Sequence, residues 1–178
     1  MNIHSIFRGQ RVAILADVQN LYYATVRNGK RLNYQKLMDV LTGDRTLAKA
    51  VAFVVHKENA QSQEKFFDAL RYMGWDLNIK TLQEDGKKSD QDMELAMEAL
   101  TISDNVDTIV LVSGDSDFIN LVSRLRYKGK RVEVASFNAY TSNKLMKAAD
   151  RFYSLDDIDE LVTVAEDEIV SSMVGGTK

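Results

Sequence analysis

The chain has no cysteine and no proline, and its only histidines are His4 and His56. Without cysteine there is no disulfide and no thiolate metal site. Two isolated histidines argue against zinc held by a histidine cluster. The missing proline removes one of the usual markers of turns and linkers. No apolar run approaches the ~20 residues that span a bilayer, and Met1 to Arg11 lacks the apolar core of a signal peptide. A cytoplasmic location is the expectation. No G-x-G-x-x-G follows the first apolar run, and there is no G-x-x-x-x-G-K-[ST] and no G-x-S-x-G. Dinucleotide binding, P-loop chemistry and serine hydrolysis therefore lack their sequence signatures.

What is present is ordinary in bulk: 178 residues, 45% hydrophobic and 28% charged. That length predicts one domain spanning residues 1–178, large enough to bury its own core. The net charge of −3 is unevenly spread. From Asp156 to Glu168 there are seven acids and no base, whereas residues 1–155 hold 22 Lys and Arg against 19 Asp and Glu. Basic groups at Lys87 and Lys88, at Arg124, Arg126, Lys128, Lys130 and Arg131, and at Lys144, Lys147 and Arg151 can hold phosphates. Taken singly, each is as readily a solvated face.

Apolar runs alternate with amphipathic segments. Val12–Ala16, Ala48–Val55, Trp75–Leu82, Asp107–Ser113 and Arg131–Ser136 read as strands, with Phe152–Leu155 as a sixth at an edge. Helices are predicted over residues 20–28, 34–41, 61–73, 89–103, 117–128 and 144–149, four of them closed by Gly29, Gly43, Gly74 and Gly129. A last, acidic helix is predicted over about 156–173. Strands alternating with helices imply parallel βαβ units. The expected fold is a three-layer α/β/α domain with a mostly parallel sheet in the Rossmann-like order 3-2-1-4-5. In that order the first and fourth strands are neighbours and the winding reverses between them, so ligands bind at their carboxyl ends.

Both strands end on acids. Asp17 follows the first, and Asp115 and Asp117 follow the fourth; Asp92 opens the helix between them. Each has a plain structural alternative. Asp17 or Asn20, and Asp115, Ser116 or Asp117, suit helix N-caps, and Ser89 with Asp92 resembles a capping box. Together they exceed what capping needs, because crowded carboxylates repel unless a cation is present. An all-oxygen donor set of this kind suits Mg²⁺ or Mn²⁺. His56 and Glu98 read as structural or surface residues, with a place for Glu98 just behind the acids left open.

The segments Ala16-Asp17-Val18-Gln19-Asn20-Leu21, Lys88-Ser89-Asp90-Gln91-Asp92 and Ser113-Gly114-Asp115-Ser116-Asp117-Phe118 resemble the signature of the NYN domain, a branch of the PIN-like nucleases. The ending Ser142-Asn143-Lys144-Leu145 and Ala149-Asp150-Arg151-Phe152 is similar to that of its LabA-like bacterial group. The resemblance covers about residues 10–160. It implies a metal-dependent ribonuclease in which Asp17, Asp115 and Asp117 hold Mg²⁺ or Mn²⁺ directly or through water and Asp92 completes the cup. Asn20 and Ser116 stand beside them, and Asp90 is the rival to Asp92 for the helix acid. Lys88, Lys144 and Lys147 would guide the phosphate backbone of RNA, preferably single-stranded. The readings that compete with this are a non-catalytic interaction module that keeps the acidic cup, and a small nucleotide phosphohydrolase. A protein partner on the acidic C-terminal helix and self-association are further expectations.

Overall fold

Val12 to Ala16 are fully buried because they form the middle of a sheet covered on both faces. Successive side chains on a strand point to opposite faces. Val12, Ile14 and Ala16 accordingly enter one apolar core, while Ala13 and Leu15 enter the other. The computed structural model describes residues 8–26, 29–56, 61–81 and 91–164. Within them, the first strand, β1 (Arg11–Asp17), leads into helix α1 (Val18–Thr25), strand β2 (Lys30–Leu32) and helix α2 (Tyr34–Thr42). Strand β3 (Thr46–His56), helix α3 (Gln61–Tyr72), strand β4 (Asp76–Thr81) and helix α4 (Gln91–Ile102) follow. The remainder is β5 (Thr108–Val112), α5 (Ile119–Tyr127), β6 (Arg131–Ser136), α6 (Asn143–Ala148), β7 (Arg151–Ser154) and β8 (Val162–Val164).

The main sheet has six strands in the order β4-β3-β1-β5-β6-β7, with every neighbouring pair parallel. Counting only the six predicted strands, this is the expected order 3-2-1-4-5 with the sixth added at the β6 edge. Residues of α1, α2 and α3 pack on one face around Leu21, Leu37, Leu41, Phe67 and Leu70. The other face takes Leu95 and Ala99 of α4, Leu121 and Leu125 of α5 and Leu145 of α6. A fully buried leucine or isoleucine stabilises by roughly 1.5–3 kcal/mol. The two-sided burial of β1 and β5 therefore holds the two strand ends that carry the acids.

Two expectations change. The strand Lys30–Leu32 was not foreseen; it pairs antiparallel with Val162–Val164. For the same reason the acidic helix expected from Asp156 does not start there. Leu155–Asp157 is one 3₁₀ turn, Leu155 and Leu161 are buried, and Glu160 takes a positive φ of 58° that no helix continues. A helix would set Asp156 over Glu160 at i,i+4, a repulsive pair. Val162-Thr163-Val164 is β-branched and finds a strand partner instead. The remainder of that predicted helix, 165–173, lies outside the described residues.

Glu133 on β6 is 1% exposed and lies 3.0 Å from Arg45 and 2.7 Å from Arg131. Arg45 is itself nearly buried and also donates to the carbonyls of Leu41 and Thr42. Removing one partner of a buried ion pair strands the other charge, which costs about 3–5 kcal/mol. Glu133→Ala is expected to lose that much stability in urea melts, and Arg131→Ala, whose charge is more exposed, clearly less.

Candidate metal centre at the carboxyl ends of β1 and β5

Ala16 and Val112 are paired across β1 and β5, so the two chain segments leave the sheet side by side. Asp17 ends β1, is 8% exposed and N-caps α1 by accepting the Asn20 backbone N–H at 3.0 Å. Its second oxygen accepts from the Ser113 hydroxyl at 3.3 Å. The same hydroxyl accepts the Asp115 backbone N–H at 3.3 Å, so one serine ties the two strand ends together. Asn20 adds a second tie: its side-chain oxygen accepts the Gly114 N–H at 3.2 Å. Asp115 in turn caps the 3₁₀ turn Ser116–Phe118 by accepting the Asp117 N–H at 3.0 Å.

Gly114 is needed on steric grounds. A Cβ there would collide with the Tyr140 carbonyl and lie 2.9 Å from Ser136 Oγ. The Gly114 carbonyl also accepts the Ser142 N–H at 3.0 Å. The loop after β6 is thus packed directly on the loop that carries Asp115 and Asp117.

The third arm is α4. Buried Gln91 donates from Nε2 to the carbonyls of Val54, at 3.3 Å, and Asn78, at 3.1 Å. Those bonds fix the start of α4 against the carboxyl-terminal half of β3 and the middle of β4. Asp92 follows, and carboxylate oxygens of Asp92, Asp115 and Asp117 lie within 4.8 Å of one another. This grouping differs from the sequence expectation in one respect. Asp92 belongs to the tight trio, while Asp17 stands outside it as the buried wall. Burial, and then the charges of Asp92 and Asp115, push the Asp17 carboxyl above its ordinary value; its bonds from Asn20 and Ser113 pull the other way. The capping readings of Asp17 and Asp115 hold as well: each caps through one oxygen, and the other oxygen of Asp17 accepts from Ser113.

Ser116 is exposed beside the trio. Lys144 and Lys147 lie exposed on α6, which packs against α5 and the Ser116–Phe118 turn. They carry no ion pair among the described residues. The other basic groups are largely engaged: Arg126 with Asp150, Lys128 with Asp104, Arg131 with Glu133, and Arg151 over the Tyr153 ring. Lys88 and Asp90 lie outside the described residues. Glu98 pairs with Lys49 at 2.8 Å, and His56 sits 3.5 Å from Glu64, so neither joins the trio. The roles of Ser113 and Gly114 were not visible beforehand. The one available signal was a hydroxyl and a glycine directly after the apolar run Ile109–Val112.

The model of the NYN domain matches residues 11–156. The chain belongs to the NYN domain family, a family of PIN-like nucleases. It is similar to the low amplitude and bright protein LabA of Synechococcus elongatus, 28% identical and matched over 90% of this chain and 91% of LabA. An uncharacterized protein of Methanocaldococcus jannaschii, MJ0482, is 26% identical over 79% of this chain and 53% of its own length. A crystal structure of a protein of unknown function from Vibrio parahaemolyticus, VPA0982, superposes with a TM-score of 0.76 at 32% identity. It covers 84% of this chain and 95% of that one.

The raised carboxyl of Asp17 has a definite sign. Its ionisation is disfavoured in the fold, so metal-free protein is stabilised while Asp17 is protonated and loses that stability as pH rises above the ordinary carboxylate value near 3.8. Asparagine caps as well as aspartate and carries no charge. In EDTA, Asp17→Asn is therefore expected to melt above wild type at pH 7, with the gap closing towards pH 4. A constant gap across that range, read by thermal melting, would contradict the electrostatic cause. For the loop, Gly114→Ala is expected to destabilise by about 1–3 kcal/mol through overpacking, measured by the same melts.

Proposed function

We propose that this NYN-family protein is a Mg²⁺- or Mn²⁺-dependent endoribonuclease acting on single-stranded RNA. The observation that carries the reading is the convergence of Asp92, Asp115 and Asp117 within 4.8 Å, at the strand-order reversal of the sheet. The donor set fits a hard divalent cation, being all oxygen with neither histidine nor thiolate among it. Asp92, Asp115 and Asp117 would hold the ion, and Asp17 would add negative charge from the buried side. Such an ion, when bound, lowers the pKa of a coordinated water and stabilises charge on the phosphate.

The chain's own groups do the rest. Ser113 and Asn20 fix the distance between the strand ends, so the trio is held in place before substrate arrives. Preorganised charge of this kind avoids reorganisation during reaction. Exposed Ser116 is placed to orient a phosphate oxygen or a water. Lys144 and Lys147, without an ion pair among the described residues, would attract the backbone, as would Lys88, which lies outside those residues. Single strands are preferred because unstacked bases reach a cleft more readily than a duplex does. A cytoplasmic site of action accords with the lack of any described helix long and apolar enough to cross a membrane.

The test is cleavage of a single-stranded RNA oligomer in Mn²⁺ and in EDTA, with phosphate release from nucleotides run beside it. Cleavage in Mn²⁺ alone is expected, and Asp115→Asn is expected to lower it by at least a hundredfold while keeping the fold. Undiminished cleavage in EDTA would refute the metal mechanism. Release of phosphate from nucleotides without cleavage of RNA would make the protein a phosphohydrolase instead.

A further inference from the structure

A cavity of about 490 Å³ is bounded by the loops that follow β6 and β7 and by the end of α1. That volume is within the roughly 300–1,000 Å³ of small-molecule sites. Phe137, Leu155 and Ile158 give it an apolar floor, and Tyr140, 44% exposed, stands at its side. Its charged lining is Asp156, Asp159 and Glu160 against Lys30 alone. The cavity is joined to the metal loop through one contact: Tyr140 packs on Gly114, the residue before Asp115.

The lining decides which part of a nucleotide can enter. Three carboxylates repel phosphate, so the backbone is excluded. Carboxylates only accept hydrogen bonds, so they favour a ring that presents N–H donors. Aromatic side chains stack on bases, and single-stranded RNA is read by such stacking with hydrogen bonds to base edges. Asp156 is partly committed, since it accepts the Asn138 N–H at 2.8 Å. Asp159 and Glu160 are the other two carboxylates that line the cavity.

We infer that this cavity is a nucleobase subsite for a nucleotide neighbouring the scissile phosphate, selecting bases with an exocyclic amino group and rejecting uracil. Adenine, guanine and cytosine each offer an exocyclic amino donor; uracil has carbonyl oxygens in place of such a group, which the carboxylates repel, and keeps only its ring N3–H as a donor between them. The inference rests on the ribonuclease reading for its strand context, but the site itself can be tested without catalysis.

Adenosine, guanosine, cytidine, uridine and spermidine are each titrated into the full chain in EDTA and followed by amide NMR shifts. The amino-bearing nucleosides are expected to move Ala139, Tyr140 and Ile158, with at least tenfold weaker effect from uridine. Asp159→Asn with Glu160→Gln is expected to reduce that discrimination, and Tyr140→Ala to weaken all four nucleosides. Equal response to uridine, no response in these residues, or shifts from spermidine alone would overturn the subsite. Cleavage of an oligouridylate with and without one adenosine is then compared in Mn²⁺. If nucleosides bind selectively but no RNA is cut, the ribonuclease reading fails and the subsite stands. If RNA is cut with no preference and no nucleoside enters the cavity, only the subsite is lost.

Discussion

Three carboxylates within 4.8 Å of one another, backed by a fourth that is 8% exposed, repel each other in the absence of a cation. Two unit charges near 5 Å repel by roughly 3 kcal/mol at an effective dielectric of ~20, and water screening lowers this for the exposed members. The fold has means to hold them there. α1 and α4 both present their N-terminal ends to this edge, and the positive end of a helix dipole offsets ~0.3–1 kcal/mol for each nearby acid. That falls short of the repulsion. The balance is met by rigid neighbours: β1 and β5 buried on both faces, Ser113 bridging their ends, Asn20 holding Gly114, and Gln91 anchoring α4. The stability of the sheet core is what permits the acids to be crowded.

The sheet order was legible because periodicity reports burial. Val12–Ala16 and Ile109–Val112 are continuous apolar runs, the mark of strands covered on both faces. In the doubly wound order expected of alternating strands and helices, those two are neighbours. With it came the meeting of Asp17 and Asp115. Asp92 was harder to assign, since Asp90 also suits the helix start; the apolar spacing of Met93, Leu95, Ala96 and Leu100 favoured the position the structure brings into the trio.

What could not be read was tertiary in origin. Residues Asp156 to Glu160 have the composition of a solvated helix face. Their conformation is set instead by Leu155 and Leu161 reaching the core and by Val162–Val164 finding Lys30–Leu32, a partner distant in sequence. Basic clusters were misleading for a related reason. Arg126, Lys128 and Arg131 look available along the sequence, but Asp150, Asp104 and Glu133 neutralise them across the fold. Only a three-dimensional arrangement separates a spent cation from one such as Lys144 or Lys147.

That separation gives the surface a polarity that net charge conceals. Lys144 and Lys147, which carry no ion pair among the described residues, lie on α6, the helix that packs on the Ser116–Phe118 turn. Asp156, Asp159 and Glu160 line the cavity that Tyr140 also lines, and there phosphate is repelled and a neutral ring is not. A strand of nucleic acid crossing this edge would meet opposite preferences for its two chemical parts: backbone towards α6, base towards the cavity. The contact at Gly114 fixes the spacing between these two preferences, because no side chain fits between the two loops. The glycine therefore ties the geometry of the acidic trio to the geometry of the cavity, and a change in either loop is transmitted to the other.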